Sequence, residues 1–326
     1  TVTIDGQLSS TGSVTLSSRT LNVNSTTSIA TLSMDSNLRT DGLLTVLGSM
    51  DWESGSLIGN GQLVIDTGAT LTIDTAGNVP RVGDGGTLVN QGAASWSPGT
   101  QQLIDIDGTF QNNGSFTTNS DSLLRINGSG SFENSGMFVK QGTGTFDFSF
   151  NEPTPFNNTG TVEIQEGRLT LNDSSLEGLF QIRGGQLLVN VLTTNNGEIL
   201  FTDDGGSIAG SNTIVIPSGS RIAKEGGPGD ATIFKRLSNQ GLIETTSGNL
   251  RLANSQTSAS VGELRGDSAN QIVLAGATSF EFHDGATITG DSAVLVETEA
   301  QVITGATLGG SGSVEIAPGG RFDVVG

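Results

Sequence analysis

Five times along this chain an apolar residue stands two positions before an asparagine and four before a glycine. The runs are Leu88-Val89-Asn90-Gln91-Gly92, Phe110-Gln111-Asn112-Asn113-Gly114, Phe132-Glu133-Asn134-Ser135-Gly136, Phe156-Asn157-Asn158-Thr159-Gly160 and Leu237-Ser238-Asn239-Gln240-Gly241. The first four asparagines follow one another at intervals of 22, 22 and 24 residues, and weaker matches at Asn195 and Pro217 lead to Asn239 in steps of 22. A fixed period of this length marks a supersecondary unit that cannot bury its own apolar face, so successive units must stack. The interval is one coil of a solenoid.

Between these motifs lie short alternating runs such as Gln62-Leu63-Val64-Ile65, Ala69-Thr70-Leu71-Thr72-Ile73 and Gly160-Thr161-Val162-Glu163-Ile164, which carry the period of two of a half-buried strand. Turns rich in Gly, Asn, Asp and Ser separate them, and no dozen residues show a 3.6-residue apolar stripe with caps. The expected class is all-β: a single right-handed parallel β-helix of about 22 residues per coil, one domain over residues 1–326, with less regular coils at 1–56 and 243–280. At ~4.8 Å per strand, roughly fifteen coils would make a rod of about 70 Å. Inside it, Phe110, Phe132 and Phe156 should stack as aromatic neighbours, and Asn90, Asn112, Asn134, Asn158 and Asn239 should stand as amide rungs at a turn, each donating to one neighbour and accepting from the other. The competing arrangement is a β-sandwich in which Asn60-Gly61, Asn113-Gly114, Asn127-Gly128 and Asn196-Gly197 form type I′ hairpins. It leaves the fixed apolar offset before each asparagine unexplained.

The stretch from Phe132 through Lys140, and that from Phe156-Asn157-Asn158-Thr159-Gly160-Thr161-Val162-Glu163-Ile164 through Leu171, resembles the repeats of large secreted bacterial exoproteins. Trp52-Glu53-Ser54-Gly55-Ser56-Leu57-Ile58-Gly59-Asn60-Gly61 and Ala94-Ser95-Trp96 are similar to the same repeat. The resemblance covers about residues 50 to 245 and concerns architecture rather than activity. It implies a pectin-lyase-like β-helix of the kind found in filamentous adhesins and autotransporter rods, acting as a stalk, spacer or adhesive surface.

Composition narrows the chemistry. With 48 glycines, no cysteine and no tyrosine, the chain has no disulfide or thiolate ligand, and its stability must come from repetition. A net charge of -19 repels phosphate backbones and anionic lipid, so nucleic acid is not an expected partner. No run approaches the ~20 apolar residues that span a bilayer, so membrane insertion is not expected either. The strand-like opening Thr1-Val2-Thr3-Ile4 reads as a processed or excised start.

A polysaccharide lyase or hydrolase is the rival to a structural role, and would need clustered carboxylates. His283 is the single histidine, which excludes multi-histidine metal sites. A His283–Asp284 dyad is weighed against an outward histidine before an Asp-Gly turn, and the turn is favoured. Asp203-Asp204 is the best adjacent acidic pair, and Asp105 and Asp107 share one face of a strand. These are read as turn and solvated residues, with loose calcium binding as the one cofactor expectation. Trp52 and Trp96 are read as packing residues rather than sugar platforms. Gly226-Gly227-Pro228-Gly229 lacks the lysine of a phosphate loop and is read as a protruding turn.

The expected function is therefore a non-catalytic extracellular or cell-surface rod, with no catalytic residue, resident metal or cofactor assigned. Its expected partners are like subunits or flanking domains at the solenoid ends, with carbohydrate as a further partner. A polysaccharide-active enzyme and a carbohydrate-binding adhesin are the alternatives.

Overall fold

The computed structural model describes residues 1–6, 8–74, 79–172, 175–276, 279–291, 293–303 and 306–325, with side chains not described at 8–11. The described residues are all-β, without helices, and their parallel sheets stack as a β-solenoid of about 22 residues per turn. Contacts divide the chain into two compact units, Thr1–Asn172 and Asp173–Gly326.

In the first unit a regular coil has three strands. Gln102–Ile106, Thr109–Asn112 and Ser115–Asn119 are followed by Leu124–Asn127, Ser131–Asn134 and Met137–Gln141. The coils pair in parallel, with Gln102 beside Leu124, Thr109 beside Ser131 and Ser115 beside Met137. Side-chain alternation turns every second residue inward, so Phe110, Asn112, Phe116 and Thr118 are all buried. The earliest coils are shorter: Leu21 pairs with Leu38, 17 residues on, and Leu38 with Leu57, 19 on. No Asn-x-Gly corner interrupts them. The long strands Thr27–Met34 and Leu43–Trp52 run through the bend instead, with a register irregularity between Ile29 and Thr31.

The second unit repeats the plan. Ser207–Ala209, Thr213–Ile216 and Arg221–Lys224 are followed by Ala231–Ile233, Arg236–Asn239 and Leu242–Thr245. Here the register revises one expectation. Ile216 pairs with Asn239, so the asparagine position of that coil holds Ile216 and not Pro217. Pro217 opens a four-residue corner, closed by a Ser220 N–H bond to the Pro217 carbonyl at 3.1 Å. Ile65 and Phe282 likewise precede four-residue corners, with Ala69 N–H on Asp66 and Ala286 N–H on His283. A two-residue corner follows Asn90, Asn112, Asn134, Asn158, Asn195 and Asn239. Every amide of the column precedes a tight corner, as do Leu176 and Ser260, while the wide corners named here follow an apolar side chain.

The glycine of the motif has its own cause. A Cβ on Gly114 would fall on the carbonyl oxygen of Gly92, and one on Gly136 on that of Gly114, well inside van der Waals contact with backbone. Close approach of successive coils, rather than a hairpin, demands the residue. Of the four Asn-Gly steps only Gly128 has a positive φ, 126°, whereas a type I′ turn needs positive φ at both central residues. The sandwich alternative is thereby replaced by parallel coils.

Candidate functional site

The interior of the first unit is held by two kinds of repeated contact. Phe110 and Phe132 stack with centroids 4.8 Å apart and planes at 16°, and Phe132 and Phe156 with 5.6 Å and 19°. Phe116 and Phe138 form a second stack at 5.4 Å and 3°, meeting the first edge-on through Phe110–Phe116 at 5.7 Å and 82°. Such pairs contribute about 0.5–1.5 kcal/mol each beyond area burial. The second stack went unread in the sequence, although Phe116 and Phe138 also stand 22 apart.

Beside the rings runs the amide column. Asn90 Nδ2 donates to Asn112 Oδ1 at 2.8 Å, Asn112 to Asn134 at 2.6 Å and Asn134 to Asn158 at 2.6 Å. The same nitrogens donate to the carbonyls of Ser115, Met137 and Thr161, which open the strand after the next corner. One primary amide therefore serves a neighbouring side chain and a buried backbone acceptor, as its two N–H donors allow. Where the preceding rung is apolar the column starts short: Asn90 pairs with Ile65 and Asn195 with Leu176, and both asparagine Oδ1 atoms are buried without a partner. In the second unit Asn195 is followed by Ile216, and Asn239 donates to Ser260 Oγ at 3.1 Å. The ladder there is broken by the wide corners.

A third interior device was read only in part from sequence, which took Trp52 and Trp96 as packing residues but missed the lysines and the donor role. Trp52, Trp96, Lys140 and Lys224 are buried at the inward end of a coil's last strand and supply donors to the turn beyond. Trp52 Nε1 donates to the Ser54 carbonyl at 3.0 Å and Trp96 Nε1 to Gln102 Oε1 at 3.1 Å. Lys140 Nζ donates to the carbonyls of Gln141 and Gly142, both at 2.7 Å, and Lys224 Nζ to those of Gly226 and Gly227. At another corner Lys235 reaches the carbonyls of Val191 and Ser211. Burial pushes the Lys140 ammonium down to about 8 against the opposing pull of Asp121 and Glu166, and pushes Lys235 to about 8 as well. Each lysine shares the parity of inward neighbours, Phe138, Ile222 or Ile233, and that parity was the available signal.

The outward groups are largely committed to one another. Asp105 accepts from Asn127 Nδ2 at 3.1 Å, and Asp107 pairs with Arg81. Asp203 accepts the Asp204 N–H at 2.9 Å, and Asp204 accepts the Gly229 N–H at 2.7 Å, so this acidic pair organises two stacked turns. His283 Nε2 lies 3.2 Å from Glu281, while Asp284 is engaged by Thr307, whose hydroxyl and N–H hold its carboxyl below the ordinary value. The weighed His283–Asp284 dyad is not formed. Among the described residues no group of three or more His, Asp or Glu side chains gathers to hold a metal.

In the second unit a shallow groove of about 440 Å³ passes Gly219, Gly241, Gly262 and Gly285, with Arg221 and Glu263 on its side. Arg221 pairs with Glu198, Glu225 and Glu244, and Arg265 with Glu244 at 3.2 Å and Glu263 at 3.0 Å. The pairs Arg221–Glu198, Arg221–Glu244 and Arg265–Glu244 tie successive coils together from outside as the amides do from inside in the first unit.

The chain matches no protein-family model, no curated protein and no solved structure.

Proposed function

We propose that the chain is a non-catalytic structural or adhesive module working outside a bacterial cell, as a surface stalk or fibre component. The observation that carries this reading is the continuous coil-to-coil bonding through Asn90, Asn112, Asn134 and Asn158 beside the stack of Phe110, Phe132 and Phe156. Stability spread over nearest-neighbour layers, without disulfides, suits a module that must persist and carry load. The partners proposed are like subunits or flanking domains that add a coil. Strand edges with apolar inward residues favour such addition.

The test sets turnover against assembly. The purified chain, incubated with a panel of neutral and acidic polysaccharides with and without calcium, is expected to release no product, while sedimentation shows mass rising with concentration. Product release that disappears on replacing Glu281, Asp203 or Asp105 would overturn the reading in favour of a polysaccharide-active enzyme. Glycan binding without turnover selects the adhesive form.

A further inference from the structure

Four Asn-Gly steps, Asn60-Gly61, Asn113-Gly114, Asn127-Gly128 and Asn196-Gly197, carry a chemical hazard in an open chain. The glycine nitrogen attacks the asparagine Cγ, forming an N–Cγ bond. The Cγ–Nδ2 bond breaks, and ammonia leaves with the proton lost by the glycine nitrogen. Water then opens the succinimide to aspartate or isoaspartate. Glycine makes the step easy because no side chain hinders the approach and the backbone is permissive.

In this fold each attacking nitrogen is already in use. Gly61 N–H donates to the Thr40 carbonyl at 2.7 Å, Gly114 to Asn90 at 2.9 Å, Gly128 to Glu152 at 3.2 Å and Gly197 to Leu176 at 3.1 Å. Every acceptor belongs to a neighbouring coil, so the nitrogen cannot turn toward its own asparagine without parting two layers. Three of the electrophiles are held too. Asn113 Oδ1 accepts from Ser135 Oγ at 2.8 Å, Asn196 Nδ2 donates to Ser175 Oγ at 2.8 Å, and Asn127 is bound at both ends, by Asp105 at 3.1 Å and the Glu152 N–H at 3.1 Å.

We infer that the coil stack keeps its four Asn-Gly steps chemically silent, and that isoaspartate forms at each step only when its own coil opens. The modification is thus a record of local opening, written site by site. This is independent of the function proposed above, since it rests only on the hydrogen bonds that hold the four steps.

The experiment is peptide mass spectrometry of the full chain aged at mildly alkaline pH, folded and in denaturant, with isoaspartate counted separately at the four sites. The folded chain is expected to react at least about tenfold more slowly at all four, the factor that ~1.4 kcal/mol of opening free energy gives. Folded and denatured rates within about twofold of each other would overturn the inference. Locality is tested with Asn90→Ala, which removes the amide that bonds Asn112 and the Ser115 carbonyl beside Gly114. Reaction should quicken at Asn113 and stay unchanged at Asn196. A variant that exchanges the Gly114 amide faster yet gains no isoaspartate at Asn113 contradicts the proposal. If the variant unfolds, all four sites should rise together to the denatured rate, and failure to do so would also contradict it.

Discussion

Asn112 and Asn134 stand one coil apart, and the side-chain nitrogen of the first donates to the side-chain oxygen of the second at 2.6 Å, with both residues buried. Asn112 also accepts from Asn90. Its truncation breaks three inter-coil bonds and leaves the Asn134 oxygen and an Asn90 hydrogen unmet, whereas truncating Asn90 breaks two and removes an oxygen that already lacks a partner. Asn112→Ala is therefore expected to destabilise the first unit by about 2–3 kcal/mol, and Asn90→Ala by roughly 1 kcal/mol less. Denaturant midpoints of the two variants check the order, and equal losses would show that position in the column does not matter.

Phe132 touches rings on every side: Phe110 and Phe156 face on, Phe116 and Phe138 edge on. Phe132→Ala should cost about 3–5 kcal/mol. Phe234 is 50% exposed, and Phe234→Ala should fall within ~0.5 kcal/mol of the parent. Thermal or urea unfolding of both variants decides whether the aromatic column or aromatic content as such carries the stability.

Gly114 has no room for a side chain, while a Cβ on Gly99 would meet nothing within 4 Å. Gly114→Ala is expected to destabilise by about 1–3 kcal/mol through overpacking against the Gly92 carbonyl. Gly99→Ala should be neutral or stabilise by up to ~1 kcal/mol, because it restricts the unfolded chain. Comparable losses at both positions would contradict close coil approach as the reason for the motif's glycine.

The buried lysines give stability a pH dependence of defined sign. Lys140 titrates at about 8 in the fold against 10.5 in an open chain. Between these values the unfolded state holds more protons, so stability should rise as pH climbs from about 8 to 10.5 and fall as pH returns from 10.5 to about 8. Lys235 acts in the same direction. Lys140→Met should flatten its share of the rise, which urea midpoints across that interval would report. An unchanged slope would mean that burial does not desolvate the ammonium.

Much of the first unit is legible in sequence because two residues of the motif have roles without substitutes. An amide accepts from one rung and still has two N–H donors, for the next rung and for a backbone carbonyl, and only glycine admits the next carbonyl at the corner. The repeat fades where those roles lapse. Ile65, Ile216 and Phe282 fill the asparagine position because a four-residue corner satisfies its own backbone, and the first coils bend within Thr27–Met34 and Leu43–Trp52 without any corner motif. Lys140, Lys224 and Lys235 escaped notice because a charged residue near or just past a strand end reads as solvent-facing, although each is buried at the parity of the inward residues before it. The Arg221 and Arg265 pairings were not read because their intervals differ from the 22 of the motif: Arg221 stands 23 residues from both Glu198 and Glu244, and Arg265 stands 21 from Glu244.

The account stands on side chains one coil apart being nearest neighbours, and a chain without cysteine allows that to be measured by cross-linking. Gln111 is in register with Glu133, and Glu133 with Asn157. Strands lie ~4.8 Å apart, within the span a disulfide bridges, and two coils lie at about twice that, beyond it. Under mild oxidation Gln111→Cys combined with Glu133→Cys should form an intramolecular disulfide in the folded chain, and Gln111→Cys combined with Asn157→Cys should stay reduced. Failure of the first pair, or equally ready closure of the second, would contradict the stacked-coil register on which the ladder, the aromatic column and the proposed structural role depend.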